Sequence, residues 1–279
     1  MVIFKAKNYI DELDLIIKNK FEKLETDKKL AIINIGKDTS NEKFLQIKQK
    51  TAEFYGIEID IFNFKNSAKK NEVFQKIQEL NESNDYGGIV VQYPFPEKFT
   101  YQDIASKISP KKDVDFFTPE NFGKFALNYD TDFCPPTVKS LDFVLNTFKL
   151  EVQSKNYVVF GQGVLVGRPI STYLLNRGAT LHILNQFSSE ESLKILKDAD
   201  CVILGASSPQ LINGDMLKRG ASVIDFSGNF VNNKLVGDFN INSTVTHLNV
   251  VSSVPGGVGP LTVRFLFLNF LDFIEKFQI

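Results

Sequence analysis

The chain has 279 residues, a formal net charge of −1 and 43% hydrophobic side chains, enough apolar material for two modest domains or one large one with a real core. The near-neutral charge gives no electrostatic reason to expect a nucleic acid or an anionic membrane as partner. Two cysteines, Cys134 and Cys201, and two histidines are too few for a zinc cluster or a disulfide framework, so no metal is expected and a reducing, cytoplasmic setting is. The N-terminal MVIFKAKNYIDELD acquires acids too early for a secretory leader, and the most apolar run, residues 265–274, is broken by Asn269 and Asp272 and is too short to cross a bilayer.

In chain order, residues 9–25 place Ile10, Leu13, Leu15, Ile16, Ile17, Phe21 and Leu24 in a helical pattern with charges between them, which predicts a helix. Residues 30–35 (LAIINI) predict a strand ended by Gly36. Residues 37–40 predict a loop, with Ser40 or Asn41 as the N-cap of a helix running to about residue 55. Residues 57–64 (IEIDIFNF) alternate as a strand, residues 71–81 predict a helix, and residues 88–92 (GIVVQ) a strand that stops at Tyr93-Pro94-Phe95-Pro96. This β-α-β-α-β series predicts parallel strands with covering helices.

After a polar segment at 109–121, residues 138–148 predict a helix leading into a second domain. There the alternation resumes, with strands at 157–160, 180–184, 201–204 and 222–226 and helices at 170–176 and 190–197. Residues 231–238 (VNNKLVGD) predict a hairpin around Asn232-Asn233. Residues 252–260 (SSVPGGVGP) predict a rigid turn, and residues 261–277 a closing helix.

The second half is organised around residues 157–169, YVVFGQGVLVGRP. A short buried strand is followed by Gly161, Gly163 and Gly167 and then by a helix. In that arrangement backbone N–H groups at a helix N-terminus meet a phosphate. The spacing, G-x-G-x-x-x-G, is one residue longer than the commonest dinucleotide fingerprint. The pattern as a whole predicts an α/β protein of two domains, the second Rossmann-like, with a cleft between them as the default place for a ligand.

Several motifs together resemble one family. Residues 88–96, GIVVQYPFP, are similar to G-I-x-V-Q-x-P-[LF]-P, and Lys112-Asp113-Val114-Asp115 with Pro119, Asn121 and Gly123 to K-D-V-D-G-x-x-P-x-N-x-G. Gly214-Asp215, Lys218, Gly220 and Val223-Ile224-Asp225 resemble G-D-x-[IL]-K-x-G-x-x-V-I-D, and residues 255–260 with Thr262 match P-G-G-V-G-P-x-T. These are motifs of the bifunctional methylenetetrahydrofolate dehydrogenase / methenyltetrahydrofolate cyclohydrolase family, which the chain resembles over nearly its whole length. The resemblance implies a folate-binding catalytic domain over residues 1–138, an NAD(P)-binding domain over 139–260, and a C-terminal helix, 261–279, returning to the first domain. It further implies oxidation of methylenetetrahydrofolate with NADP (NAD being possible), hydrolysis of the methenyl product to 10-formyltetrahydrofolate, and a homodimer formed through the cofactor domain near residues 231–238.

By the same resemblance Lys48, Gln92 and Asp115 are the catalytic set. Lys48 positions water and moves a proton, Gln92 hydrogen-bonds the lysine and the folate, and Asp115 accepts from the pterin amino and ring N–H groups. Phe44, Pro255, Gly256 and Gly257 are the substrate-binding candidates. Gly161, Gln162, Gly163, Gly167, Asn185, Gln186, Ser188 and Ser207 are the cofactor-binding candidates. Read without the family, Lys48 is an ordinary helix lysine, Gln92 a strand end and Asp115 a loop acid. The chain departs from the family at several of these positions. Phe44 replaces a tyrosine, Phe116 the glycine after Asp115, Gln162 an arginine, Gly163 a serine, and Ser207 a glycine. No Asp, Glu or Arg stands after the strand at 180–184 to select between NAD and NADP. The alternatives to the bifunctional enzyme are a member with one activity impaired and a non-catalytic folate-binding protein. His182, Asp215, Asp225 and the two cysteines are read as bystanders.

Overall fold

The computed structural model describes residues 1–36, 39–129, 133–232 and 234–279. In chain order its elements are β1 (Val2–Phe4), α1 (Asp11–Leu24), β2 (Lys29–Ile35), α2 (Thr39–Tyr55), β3 (Ile59–Phe64), α3 (Lys70–Glu82), β4 (Tyr86–Val91), α4 (Tyr101–Ala105), α5 (Pro119–Ala126), α6 (Pro136–Thr147), β5 (Asn156–Phe160), α7 (Gly167–Asn176), β6 (Thr180–Leu184), α8 (Glu190–Leu193), β7 (Cys201–Leu204), β8 (Ser222–Asp225), β9 (Asn229–Val231), β10 (Lys234–Val236), β11 (Val250–Ser252) and α9 (Gly259–Phe277). The first part of the loop expected at 37–40 and Asn233 of the expected hairpin turn lie outside the described residues, as does the side chain of Ser40. No helix among the described residues is long and apolar enough to cross a membrane.

The chain divides into two compact units, Glu12–Pro136 with Val263–Ile279, and Met1–Asp11 with Thr137–Thr262. In the first, β2 lies between β3 and β4 in a parallel sheet. β2 is buried along almost its whole length, as the central strand of a parallel sheet must be when helices cover both faces. Helix α9 packs closely on β4. A Cβ on Gly88 would stand 2.9 Å from both Phe270 and Val114, and one on Gly87 would stand 2.7 Å from Ile274. Arg264 of α9 forks onto Asp14 of α1 (Nε to Oδ1 2.7 Å, Nη2 to Oδ2 3.1 Å), and Tyr55 of α2 donates to the same carboxylate. The amide of Asn269 donates to the carbonyls of Val114 and Cys134 at 3.0 and 3.1 Å. The closing helix is therefore tied by polar bonds as well as by its apolar face to the unit that carries Lys48.

In the second unit the sheet order is β1-β11-β8-β7-β5-β6, every pairing parallel. Its interior is built on Val158, Phe160, Val202, Leu204, Val223 and Val251. Two three-residue strands, β1 and β11, have no counterpart in the sequence reading. β1 adds to the sheet edge through Val2↔Val250 and Phe4↔Ser252, so Met1–Asp11 group with this unit and not with the folate-binding domain expected over 1–138. The helix expected at 190–197 is one α-turn followed by a 3-10 segment at Lys194–Asp198.

Candidate functional site

Helix α2 begins at Thr39, so Asn41 lies within its first turn and is not the N-cap expected from sequence. Its side chain is buried. Nδ2 donates to the Pro94 carbonyl at 2.9 Å, and Oδ1 accepts from Gln92 Nε2 at 3.4 Å. Gln92 is the first residue after β4, anchored by its backbone N–H to Ile33 O at 2.8 Å. With its amide nitrogen directed to Asn41 and Tyr93 O, its Oε1 accepts from Lys48 Nζ at 2.8 Å. Phe44, one helical turn before Lys48 on the same face, is half-buried and brings a ring without a hydroxyl. Asn41 is a site residue that sequence reasoning missed, because an Asn near a helix start reads first as a cap.

Asp115 is held by its neighbour Asp113. The buried Asp113 carboxylate accepts from the backbone N–H groups of Phe117 (2.7 Å) and Thr118 (2.8 Å) and from Asn121 Nδ2 (3.0 Å). This clamp turns the chain sharply enough that Phe116 sits at φ +58°, left-handed backbone that costs a residue with a Cβ about 1–2 kcal/mol. The Phe116 ring is buried edge-to-face on Phe273 of α9, with centroids 5.9 Å apart.

The electrostatics couple Lys48 and Asp115. Burial lowers the Lys48 ammonium below its usual range, and the negative charge of Asp115 opposes that shift. Burial pushes the Asp115 carboxyl up to about 6; Lys48 opposes and Asp113 reinforces. A lysine shifted toward neutrality beside a carboxyl that titrates near 6 is a pair equipped for proton transfer and water positioning near neutral pH. Pro255, Gly256 and Gly257 belong to the other unit. Gly256 adopts φ +90°, its carbonyl accepts from Ala6 N at 2.8 Å, and a Cβ on Gly257 would stand 2.2 Å from Ser253 O.

The dinucleotide turn follows β5. Gly161 takes φ +115°, and a Cβ there would stand 2.4 Å from Gly205 O; a Cβ on Gly167 would stand 2.0 Å from Gly161 O. Both glycines are therefore needed for the turn to close. Gly163 has open space where its Cβ would be, and the N-terminus of α7 carries no side-chain cap. An open glycine facing an uncapped helix start fits a dinucleotide pyrophosphate. Gln162 is exposed, and its carbonyl accepts from Arg168 Nε at 3.1 Å.

At the end of β6, Asn185 and Ser188 form a local turn. Asn185 Oδ1 accepts from Phe187 N at 2.8 Å, and Ser188 Oγ accepts from Asn185 N at 2.9 Å. Gln186 is exposed beside them. Ser207, exposed after β7, holds φ +55° where the family has glycine. His182 lies half-buried on β6, and burial pushes the thiol of Cys201 up, away from a reactive thiolate. The described residues contain no group of side chains able to hold a metal ion.

A model of the tetrahydrofolate dehydrogenase/cyclohydrolase catalytic domain matches residues 4–115, and one of the NAD(P)-binding domain of the same family matches residues 135–278. The bifunctional protein FolD of Aquifex aeolicus (strain VF5) is 34% identical over 271 residues, 97% of this chain and 93% of that protein. The protein of the same name from Staphylococcus aureus (strain JH9) is 35% identical over 268 residues, 95% of this chain and 92% of that one. Among solved structures, FolD methylenetetrahydrofolate dehydrogenase/cyclohydrolase from Campylobacter jejuni superposes with a TM-score of 0.91 at 28% identity, covering 99% of both chains. The Trypanosoma brucei enzyme, complexed with NADP cofactor and inhibitor, superposes with a TM-score of 0.94 at 26% identity over 100% of this chain and 98% of that one. With both domain models matched in order and full-length relatives above 30% identity, the chain belongs to the tetrahydrofolate dehydrogenase/cyclohydrolase family.

Proposed function

We propose that the protein oxidises 5,10-methylenetetrahydrofolate to 5,10-methenyltetrahydrofolate with NADP and hydrolyses the product to 10-formyltetrahydrofolate. The observation that carries this reading is the 2.8 Å bond from Lys48 Nζ to Gln92 Oε1, within the electrostatic reach of Asp115. Asp115 suits paired N–H donors of a pterin, because an ionised carboxylate offers two acceptor oxygens. Lys48 then lies where it positions the attacking water and moves a proton as the ring opens, and Gln92, locked by Asn41, keeps the ammonium aimed. NADP, when bound, supplies a hydride acceptor at nicotinamide C4. For that cofactor the chain offers the glycine turn at Gly161, Gln162, Gly163 and Gly167, together with the polar side chains of Asn185, Gln186, Ser188 and Ser207. The Phe44 ring packs against the ligand without a hydrogen bond, and Pro255, Gly256 and Gly257 are the substrate-binding candidates that the other unit carries.

A time course with methylenetetrahydrofolate and NADP, repeated with NAD, tests this by following reduced nicotinamide and methenyl absorbance together. The expected result is reduced nicotinamide with little methenyl, which means that both steps run. Methenyl rising in step with reduced nicotinamide removes the hydrolase and leaves a single-activity member. No reduction of either cofactor removes the dehydrogenase; methenyltetrahydrofolate supplied directly then separates a lone hydrolase from a folate-binding protein.

We also place the enzyme in the cytoplasm, where a chain with only two cysteines, 67 residues apart in sequence, suits a reducing medium. It pairs with a second copy through the nucleotide-binding unit near the β9–β10 ribbon, where Val231 is 40% exposed. Light scattering should give twice the 31.5 kDa chain mass; the mass of a single chain at assay concentration sinks the dimer.

A further inference from the structure

We propose that Asp238 is a positioning residue for the dinucleotide: its buried carboxylate sets the conformation of the 205–208 loop. The inference rests on the functional reading above, in which Ser207 faces the cofactor. Asp238 follows β10 and is fully buried. Among the described residues its carboxylate accepts four hydrogen bonds. Oδ2 takes Ala206 N at 2.8 Å and the Ser227 hydroxyl, and Oδ1 takes Ser208 N at 2.7 Å and Asn229 Nδ2 at 3.0 Å. Two donors come from the loop after β7 and two from the segment after β8.

The backbone N–H groups of Ala206 and Ser208 close on this one carboxylate around a residue that turns the chain between them. That residue is Ser207, at φ +55°. An anion cupped by amides around a left-handed residue is a backbone nest, and here the anion is part of the protein. A serine therefore holds the backbone otherwise given to glycine, at a conformational cost that the two charge-assisted bonds offset.

Asp238 is itself fixed. Its carbonyl accepts from Ile212 N at 3.0 Å, and the carbonyl of Gly237 accepts from Gln210 N at 3.0 Å. The neighbouring titratable group is Asp225, at the end of β8, which accepts from Ser227 N and Phe239 N, each at 2.9 Å. Burial pushes the Asp225 carboxyl up to about 7, with the charge of Asp238 adding to the shift. Ser227 bridges the two acids, giving its N–H to Asp225 and its hydroxyl to Asp238. The clamp thus joins the segments after β7 and β8 to the residue that follows β10, while Ser207 itself stays exposed.

The test uses the full chain carrying Asp238→Asn. An amide presents one acceptor oxygen and turns an NH2 toward the remaining donors, so at least one loop N–H loses its partner. The expected result is a rise of at least tenfold in KM and Kd for NADP, with hydrolysis of methenyltetrahydrofolate, which needs no dinucleotide, within twofold of wild type. Adding Ser207→Gly to Asp238→Asn should recover part of the affinity, because glycine holds φ > 0 without the clamp; a role confined to stability predicts no such recovery. Should Asp238→Asn fail to fold, amide exchange in the unliganded wild-type chain decides instead. Protected Ala206 and Ser208 amides support the clamp, and exchange at open-loop rates overturns it. Equal NADP affinity in wild type and Asp238→Asn overturns this inference alone. A wild-type chain that binds neither NADP nor NAD overturns the functional reading and this inference together.

Discussion

Lys48→Met should lower hydrolysis of methenyltetrahydrofolate by about 10²–10⁴-fold, the usual worth of a positioned acid–base group. Methionine keeps the length and the apolar stem of the side chain, so α2 still packs. It cannot donate to Gln92 or carry a proton. Gln92 retains its bond to Asn41, so the effect isolates the ammonium. Steady-state rates at saturating substrate measure this directly, and a loss under threefold removes Lys48 from the chemistry. The pH profile adds a second reading on the same site. Asp115 offers both of its oxygens as acceptors to a pair of N–H donors only when ionised, and its carboxyl is pushed up to about 6. In the wild type kcat/KM therefore rises with pH through about 6 and falls about tenfold per unit below it. In Asp115→Asn that acid limb disappears and the remaining rate is low at every pH.

Gly167→Ala should remove most of the dehydrogenase activity and leave the hydrolase intact. The added methyl would stand 2.0 Å from the Gly161 carbonyl and 2.6 Å from its carbon, backbone that cannot swing aside as a side chain does. The turn must open by more than an ångström, carrying the amides at the start of α7 with it. Overpacking of this kind costs about 1–3 kcal/mol, which corresponds to about a 5- to 140-fold loss of dinucleotide affinity if it falls on binding. Titration with NADP checks this, alongside direct hydrolysis of methenyltetrahydrofolate. Gly163→Ala is the contrast within the same turn. Its Cβ meets open space in the chain, so any loss it causes comes from the ligand and not from the fold. Equal NADP affinity in Gly167→Ala and wild type defeats the placement of the pyrophosphate at this turn.

Much of this molecule is legible in local pattern. The run LAIINI forms the buried central strand β2, because a parallel strand covered on both faces must be apolar throughout. The glycines at 161 and 167 are legible because strand, turn and helix lie within a few residues of one another. The motifs around Gln92, Asp115 and Pro255 carry their chemistry at fixed spacing and so identify the family. The three-residue strands β1 and β11 carry too few residues to show a period; β11 forms between β8 and β1, and β1 forms on β11 at the sheet edge.

What the sequence by itself determined is therefore the α/β alternation, the dinucleotide turn and the family, all properties of short-range spacing and side-chain type. The tertiary structure alone decided the state of the charged groups and the conformation of two non-glycine turns. Lys48 reads as a solvated helix lysine until burial and Asp115 set its proton affinity. Phe116 and Ser207 occupy left-handed backbone because Asp113 and Asp238 capture the N–H groups around them. Asn41 reads as a helix cap until Gln92 and Pro94 arrive from 51 and 53 residues away. Desolvation and hydrogen bonding between distant segments exist only once the chain has folded, which is why these features have no local signature.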